Sequence, residues 1–379
     1  MFEAGAPSTA LLKGTISGLD TKPAFSAHDG AGTALPGQLP VNAYTHESAL
    51  AWLLDWLQQH QHRPLIGAGH RVVHGGEHFA EPTLIDPTIY VALERVVPLA
   101  PLHQPHNLTA VRALMRLQPS LPQVACFDTA FHRTQDALAQ NFALPRELTA
   151  SGIKRYGFHG LSYEYIANVL PQHLGASSEG RVIVAHLGNG ASLCAMRHCK
   201  SVATTMGFTA LDGLMMGTRC GTIDPGVLFY LMREQNLSPQ QVEDLLYRKS
   251  GLLGVSGISS DMRELLASPA PAATEAVDLF CYRALREMGS MIAALGGLDT
   301  LVFTAGIGER SPEVRARICE GLGWMGITID DKANCANQSR INRAHSRVAV
   351  LVIPTDEEAM IARHTFSKLC GIQPRTYPE

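Results

Sequence analysis

Residues 183–192 read IVAHLGNGAS and residues 301–310 read LVFTAGIGER, and both stretches run from an apolar strand into a glycine turn. Apolar and β-branched residues fill the strand part of each stretch, as extended structure favours. A Gly-x-Gly turn lets backbone amides approach a ligand closely, which suits an anion such as phosphate. The two stretches therefore predict two strand ends at which the backbone contacts a ligand.

Strand-like and helix-like segments alternate on both sides of these turns. Strand-like runs cover residues 64–73, 123–127, 181–187, 300–304 and 348–353. Helical spacing of apolar residues begins at His46 and recurs over 107–117, 163–174, 275–295 and 357–369. Residues 1–45 give only a weak strand signal between Leu11 and Ile16. The alternation favours an α/β architecture with mostly parallel sheets.

Composition excludes several classes of protein. The 379 residues are 46% hydrophobic and 17% charged, which is typical of a globular chain of two domains. A net charge of −3 gives no basic surplus for binding nucleic acid. The most apolar stretch, 289–308, is interrupted by Asp299 and glycines, so no membrane span is expected. The start Met1-Phe2-Glu3 shows no secretory signal, so we expect a cytoplasmic location. The 8 cysteines form no CxxC pair, and we expect their thiols to be reduced.

Common catalytic signatures are absent from the sequence. It contains no G-x-x-x-x-G-K-[ST] phosphate loop, no G-x-S-x-G elbow and no H-E-x-x-H zinc motif. No G-x-G-x-x-G follows a strand, and no protein-kinase catalytic loop is present. These absences disfavour P-loop NTPases, α/β-hydrolases, zincins and protein kinases.

Arginines and histidines beside glycines are the remaining chemical signal. They occur in residues 70–76 (HRVVHGG), 155–160 (RYGFHG) and 216–226 (MGTRCGTIDPG). A guanidinium binds a carboxylate or phosphate through two parallel hydrogen bonds, although a surface arginine in a loop is the simpler alternative. Asp128 follows the strand 123–127, where ligands of α/β proteins collect, or it is a helix cap. Residues 354–358 (PTDEE) place carboxylates at a turn, as a hydrated magnesium ion requires. Together these features indicate phosphoryl transfer.

Histidines offer a different interpretation. His70, His74, His78 and His103 could form a metal site of a hydrolase. Gly75 and Gly76 disfavour the helix that would align the first three, so this hypothesis is the weaker one.

Nine segments, in this order and spacing, resemble the acetate kinase family, a branch of the acetate and sugar kinase/actin superfamily. They are HRVVHGGE (70–77), APLHQPHN (100–107), FDTAFH (127–132), RYGFHGLSY (155–163), HLGNGAS (186–192), MGTRCGTIDPG (216–226), SGISSDMR (256–263), FTAGIGER (303–310) and IPTDEEAMIA (353–362). The resemblance runs from about Arg63 to the C-terminal helix. It implies a two-domain actin-like ATPase (ribonuclease H-like) fold with an interdomain active-site cleft. The expected domains are an N-terminal one of 1–130 plus 359–379 and a nucleotide-binding one of 131–358.

The resemblance also implies an activity. Family members transfer the γ-phosphoryl of ATP reversibly to acetate, giving acetyl phosphate and ADP, with Mg²⁺ or Mn²⁺, and they are homodimers. The resemblance implies that Arg71 and Arg219 hold the substrate carboxylate and the phosphoryl, and that His159 donates a hydrogen bond to that phosphoryl. Asp128 is the implied proton donor and acceptor or metal organiser, and Glu357 the implied Mg²⁺ ligand.

The family's binding residues transfer to further positions of this chain. The implied wall of the acid pocket consists of Val73, Leu102, Phe158 and Ala210. The implied nucleotide contacts are His186, Leu187, Gly188, Asn189, Gly190, Asp261, Met262, Arg263, Gly306, Ile307, Gly308, Glu309 and Arg310. These assignments lead us to expect that Arg71, His159 and Arg219 converge around one phosphoryl group.

The sequence departs from the family pattern in three places. The family's Asn-x-Gly-Ser-Ser-Ser-x-Lys loop, which precedes its second strand, has no counterpart after Met1. Either the start codon was chosen downstream of the true one, or the protein lacks its first hairpin, which would leave an unpaired sheet edge. Ala210 stands where proline is common, so propionate is a further candidate substrate. Arg310, Cys220 and Thr222 also differ and bear on nucleotide preference. The alternative function is a catalytically impaired nucleotide-binding homologue.

Overall fold

The computed structural model describes residues 1–4, 6–19, 22–40, 45–61 and 63–371. The chain forms two compact units, of which the first comprises Met1–Ala130 with Asp356–Glu379 and the second comprises Phe131–Thr355. The return to the first unit thus falls at Asp356, whereas the sequence-based prediction put it at Ala359. Residues 372–379, which that prediction included, lie outside the described residues.

Strands and helices alternate through most of the chain. The strands are β1 Phe2–Glu3, β2 Ala6–Ala10, β3 Leu12–Ser17, β4 Ala24–Asp29, β5 Ala34–Leu35, β6 Ala68–Val72, β7 Thr83–Leu84, β8 Gln123–Phe127, β9 Val182–Leu187, β10 Ala191–Arg197, β11 Lys200–Thr204, β12 Thr300–Thr304 and β13 Ala349–Val352. The helices are α1 His46–His60, α2 Pro87–Glu94, α3 Gln104–Leu117, α4 Ala137–Gln140, α5 Arg146–Ala150, α6 Gly160–Leu174, α7 Pro225–Arg233, α8 Pro239–Arg248, α9 Gly251–Ser256, α10 Met262–Ala267, α11 Pro271–Leu295, α12 Ala305–Arg310, α13 Pro312–Gly321, α14 Asp331–Cys335 and α15 Glu357–Cys370.

The described residues of the first unit form three small sheets. β1 pairs with β2, and β3, β4 and β5 form an antiparallel sheet in the region that the sequence described only weakly. The third sheet has the order β6-β8-β7, with β6 parallel to β8. Its register pairs Arg71 on β6 with Cys126, so Arg71 lies close to the carboxyl end of β8, where Asp128 follows.

The second unit is built on one five-stranded sheet of order β11-β10-β9-β12-β13. Strands β9, β12 and β13 are parallel, and every residue of β9 and β12 is buried, as parallel strands covered on both faces require. Thr304 pairs with His186, so the two glycine turns lie side by side at one edge of the sheet. Strands β10 and β11 run antiparallel to their neighbours, which makes the sheet mixed and not mostly parallel.

Helix α6 covers one face of this sheet. Its apolar residues Tyr163, Ile166 and Leu170 are fully buried and pack in one core cluster with Val184 and Val302 of the central strands. Because a core of this kind excludes water, it fixes the beginning of α6, where His159 lies, relative to the end of β9.

Two further observations concern chain chemistry. None of the helices in the described segments is long and apolar enough to cross a membrane. All eight cysteines have free thiols, and most of them are buried.

Candidate active site

Three charged side chains meet in the first unit, at the carboxyl ends of β6 and β8 and the beginning of α15. Arg71 Nε donates to Asp128 Oδ1 at 3.1 Å, and Arg71 Nη2 donates to Asp128 Oδ2 at 2.5 Å. Glu357, the first residue of α15, places Oε2 3.8 Å from Arg71 Nε. The structure thus brings together three residues to which the sequence assigned roles.

The electrostatics of this group favour a cation. Asp128 is fully buried, and burial raises the pKa of its carboxyl group while the Arg71 guanidinium opposes that rise. Burial and the nearby charge of Asp128 raise the pKa of Glu357 from 4.5 to about 7. Two carboxyl groups therefore lie beside one guanidinium, so a further cation would balance the negative charge of this group.

The loop after β6 is held by the side chains of Asn107, which is half-buried, and Thr129, which is buried. The Val73 amide donates to Asn107 Oδ1 at 3.1 Å, and the Gly75 amide donates to Thr129 Oγ1 at 3.1 Å. Val73 is buried, and Leu102, also assigned to the pocket wall, is partly buried. The first bond ties the end of β6, which carries Arg71, to α3, and the second ties it to the end of β8, which carries Asp128.

His159 lies in the second unit, immediately before α6. Its backbone is left-handed, with φ 58° and ψ 24°, a conformation that costs a non-glycine residue energy and is concentrated at functional sites. His159 Nδ1 lies 2.8 Å from Ser192 Oγ, and the ring stacks on His186 with centroids 4.2 Å apart. His186 Nδ1 in turn lies 2.8 Å from Ser162 Oγ.

The first glycine turn receives two of the predicted catalytic side chains. A Cβ placed on Gly190 would lie 2.8 Å from Arg219 Nη2 and 3.0 Å from His159 Nε2. Arg219 Nη1 also donates to the carbonyl oxygen of Ala210 at 2.6 Å. His159 and Arg219 therefore converge on the turn of residues 188–190, where the absence of a side chain at Gly190 leaves space for them, and Ala210 contacts Arg219.

Arg155, in contrast, has a structural role. Its Nη1 donates to the carbonyl oxygens of Thr205 at 3.1 Å and Met206 at 2.8 Å. Phe158, assigned to the pocket wall, is buried, and its carbonyl oxygen lies 2.9 Å from His132 Nε2. Both contacts secure the segment that leads into His159.

The second glycine turn lies beside the first. A Cβ on Gly188 would lie 3.7 Å from Ala305 Cβ and 4.0 Å from the Gly306 amide nitrogen. The Glu309 carboxylate accepts hydrogen bonds from the amides of Ala305 at 2.8 Å and Thr355 at 3.1 Å. The Ala305 amide is therefore already occupied by a carboxylate, and the expectation of an open anion site at the start of α12 does not hold for this amide.

Arg315 supports this turn and was not identified from the sequence. It is fully buried, and it donates to the Gly308 carbonyl oxygen at 2.8 Å and to Asn334 Oδ1 at 2.8 Å. A buried cation with several carbonyl partners fixes the end of α12 against α14. The sequence gives no signal for this role, because a helical arginine is usually exposed.

The remaining nucleotide-binding candidates lie on and before α10. Asp261 caps α10 by accepting from the Arg263 amide, and its carboxylate pairs with the exposed Arg263 guanidinium at 2.5 Å. Met262 is buried.

The histidine-metal hypothesis finds no matching geometry. His70 Nε2 lies 2.8 Å from Gln123 Oε1, and burial lowers the pKa of His70 to about 4. Within the described segments, no three His, Cys, Asp or Glu side chains are grouped as metal ligands. A magnesium ion that keeps most of its waters needs only one or two carboxylates, and Asp128 with Glu357 meets that requirement.

An apolar cavity of about 500 Å³ lies elsewhere in the first unit. Side chains of α1, β6 and α15, including Leu54, Ala68 and Phe366, line it. The polar chemistry of phosphoryl transfer fits the charged group around Arg71 and not this cavity.

Comparison with known proteins shows which family the chain resembles along almost its whole length. The model of the acetokinase family matches residues 2–363. The acetate kinase of Rhodopseudomonas palustris is 53% identical over 374 residues, covering 97% of this chain and 94% of the relative. That of Rhizobium meliloti is 47% identical over 365 residues, covering 96% and 93%.

Solved structures give the same result. A propionate kinase from Francisella tularensis superposes with a TM-score of 0.88 at 36% identity, covering 94% of this chain and 92% of that one. The acetate kinase of Porphyromonas gingivalis superposes with a TM-score of 0.84 at 37% identity, covering 95% and 93%.

Proposed function

This chain belongs to the acetokinase family, and we propose that it transfers the γ-phosphoryl of ATP reversibly to acetate, forming acetyl phosphate and ADP. Its fold is the two-domain actin-like fold of that family. The proposal rests on one observation. Arg219 Nη2 and His159 Nε2 both lie close to the position that a Cβ of residue 190 would take, in the glycine turn at the end of β9. Two such donors suit the oxygens of a transferring phosphoryl group.

We propose the roles that the family resemblance implies, which the local contacts support. Arg71 is held in a fixed orientation by Asp128 and binds the substrate carboxylate. Arg219 neutralises charge that develops on the phosphoryl, and His159 donates a hydrogen bond to it. The turns of residues 186–190 and 306–310 bind the nucleotide phosphates and the adenosine side, together with residues 261–263. Phosphoryl transfer depends on such positioning and charge neutralisation more than on a protein nucleophile.

A divalent cation fits the first-unit carboxylates. Asp128 and Glu357 supply hard oxygen ligands, and burial, together with the nearby charge of Asp128, raises the pKa of Glu357. When bound, Mg²⁺ would neutralise phosphate charge. We therefore assign these two residues to Mg²⁺, with Mn²⁺ as the alternative ion.

The pKa of Glu357 predicts how stability depends on pH in the presence of EDTA. A carboxyl whose pKa rises from 4.5 to about 7 on folding contributes stability that is complete below pH 4.5 and is lost as the pH approaches about 7. Relative to Glu357→Gln, the wild-type free energy of unfolding should fall by about 2–3 kcal/mol over this range. Urea unfolding at several pH values measures it. Glu320→Gln, a change at an exposed glutamate of the second unit, is the control, and parallel curves for wild type and Glu357→Gln would contradict the assignment.

The activity is tested by trapping acyl phosphate with hydroxylamine. With Mg-ATP and acetate, we expect hydroxamate to form at a rate that saturates with acetate. Propionate is the comparison substrate, because Ala210 leaves more space than proline, and one methylene changes preference by about 1–3 kcal/mol. Nucleotide binding without any hydroxamate from either acid would overturn the proposal in favour of the impaired homologue, which none of the matched relatives supports.

We also propose that the protein is a homodimer and acts in the cytoplasm. Phe229 and Tyr230 on α7 and Tyr282 on α11 are more than half exposed, and exposed aromatic side chains are typical of protein interfaces. An ATP-dependent kinase of acetate requires the nucleotide pool of the cytoplasm. Sedimentation of the purified protein tests the dimer.

A further inference from the structure

Ser192 and Tyr163 form a hydrogen-bonded chain that ends on His159. Ser192 Oγ lies 2.8 Å from His159 Nδ1 and 2.5 Å from Tyr163 OH. Ser192 and Tyr163 are both fully buried, Ser192 on β10 and Tyr163 in the first turn of α6. The chain therefore approaches the imidazole from the protein interior, on the side opposite to the nitrogen that faces Gly190 and Arg219.

We infer that Ser192 and Tyr163 are positioning residues that hold His159 as the tautomer with its proton on Nε2. The inference rests on the proposed function, in which that proton is donated to the phosphoryl oxygen. Neither residue touches the substrate; both act through His159.

Proton counting ties the direction of the hydrogen-bond chain to the tautomer of His159, and the inference takes the direction in which Tyr163 OH donates to Ser192 Oγ. A hydroxyl carries one proton, so a Ser192 oxygen that accepts from Tyr163 OH gives its own proton to His159 Nδ1. A neutral imidazole that accepts at Nδ1 carries its proton on Nε2. His159 Nε2 is the ring nitrogen near Arg219, so this tautomer places the donor where the phosphoryl is expected.

The backbone and the neighbouring ring complete the restraint. The left-handed backbone of His159 fixes the direction of its Cβ, and the stacked His186 ring limits rotation of the imidazole. The two hydroxyls select the tautomer, which stacking alone leaves undetermined. Fixing a histidine tautomer through its second nitrogen is a general device of active sites.

The first readout is spectroscopic and independent of catalysis. The ¹⁵N chemical shifts of His159, assigned by comparison with His159→Gln, distinguish the two tautomers. In wild type above the imidazole pKa we expect the proton on Nε2, and in Ser192→Ala we expect averaged shifts from both tautomers. A wild-type proton on Nδ1, or an unchanged tautomer in Ser192→Ala, would overturn the inference.

The second readout is kinetic. Ser192→Ala should lower kcat about 10-fold to 100-fold, the range seen when a metal-bound histidine loses its outer hydrogen bond, with KM for ATP and acetate changed less than about 3-fold. Tyr163→Phe, which keeps the ring in the core, should lower kcat less and mix the two tautomers only in part, because Ser192 keeps its hydroxyl and loses only the donor that sets the direction of its proton. The double variant should be no slower than Ser192→Ala, since both residues act through one nitrogen.

A matched serine controls for loss of a buried hydroxyl. Ser178 is buried and donates to the Gly175 carbonyl oxygen at 2.8 Å, so Ser178→Ala removes a comparable bond and should leave kcat unchanged. Equal losses of kcat in Ser178→Ala and Ser192→Ala would show a purely structural effect and refute the inference. If Ser192→Ala fails to fold, Tyr163→Phe decides by the same tautomer measurement: a shift away from Nε2 supports the inference, and none refutes it. A wild type without kinase activity would refute the proposed function, while the tautomer measurement would still test the positioning.

Discussion

In the Arg71→Ala protein we expect the free energy of unfolding at pH 7 to fall by about 2–4 kcal/mol and acetyl phosphate formation to be lost. Arg71 supplies both hydrogen bonds to the Asp128 carboxylate, which is fully buried and loses its only described ion pair. Removing one partner of a fully buried pair costs about 3–5 kcal/mol, and the Arg71 side chain is 41% exposed, so we expect a somewhat smaller value. Chemical denaturation and the hydroxamate assay measure the two effects.

The pH dependence of this loss identifies its cause. Burial raises the pKa of Asp128, and without Arg71 the carboxyl can avoid its unpaired charge by taking up a proton. The loss of stability should therefore be smaller at pH 5 than at pH 7. A destabilisation that does not change with pH would point to lost packing instead of lost charge pairing.

Two further variants separate stability from catalysis. Arg71→Ala combined with Asp128→Asn should regain most of the stability but none of the activity, because the buried charge is gone while the carboxylate-binding guanidinium is still missing. Arg63→Ala breaks the exposed Arg63–Glu3 pair of 2.6 Å in the same unit and should cost less than about 1 kcal/mol. If the double variant were as unstable as Arg71→Ala, Asp128 would not be the source of the effect.

Arg219→Ala should lower kcat by about 100-fold to 1000-fold, the usual loss when one donor to a developing negative charge is removed. The Arg219 guanidinium donates through Nη1 to the Ala210 carbonyl oxygen, and this bond places its Nη2 beside Gly190. Lysine presents a single point charge, so Arg219→Lys should recover only a small part of the rate. Steady-state kinetics with ATP and acetate provide the measurement.

The control for Arg219 is an arginine at the end of β10 that lies away from Gly190. Arg197, the last residue of β10, donates to the Leu295 carbonyl oxygen at 2.6 Å. Arg197→Ala should retain wild-type kcat. A kcat for Arg219→Ala within about 3-fold of wild type would remove this arginine from the proposed chemistry, since the loss of such a donor costs far more.

The sequence predicted the parts of the fold that have a strong local pattern. The apolar runs of β8, β9 and β12 and the helical spacing of α1 and α11 place these elements within a few residues of their observed bounds. Strands β10 and β11 were not anticipated, because the turn of residues 188–190 was interpreted only as a ligand contact and it also closes a hairpin. Strand β3 was predicted only weakly, and β4 and β5 were missed, because these residues show no clear apolar alternation.

The same limit applies to the candidate site. Residue types and motif positions identified Arg71, Asp128, His159 and Arg219, and strand register explains why the first two meet. The sequence did not reveal that Glu309 occupies the Ala305 amide, because a motif does not show which donors are already paired. Ser192 and Tyr163 lie in quoted motifs, yet only the fold brings these two hydroxyls together on one imidazole.

The left-handed backbone of His159 has a consequence for protein engineering. Glycine adopts this conformation without penalty and asparagine at little cost, so either residue relieves a backbone strain of about 1 kcal/mol or more, but both remove the imidazole that pairs with the buried Ser192 hydroxyl. Because the two effects oppose each other, a screen for heat resistance selects only weakly against these substitutions at position 159, whereas a screen for turnover discards them. Libraries selected for heat resistance should therefore hold this codon constant.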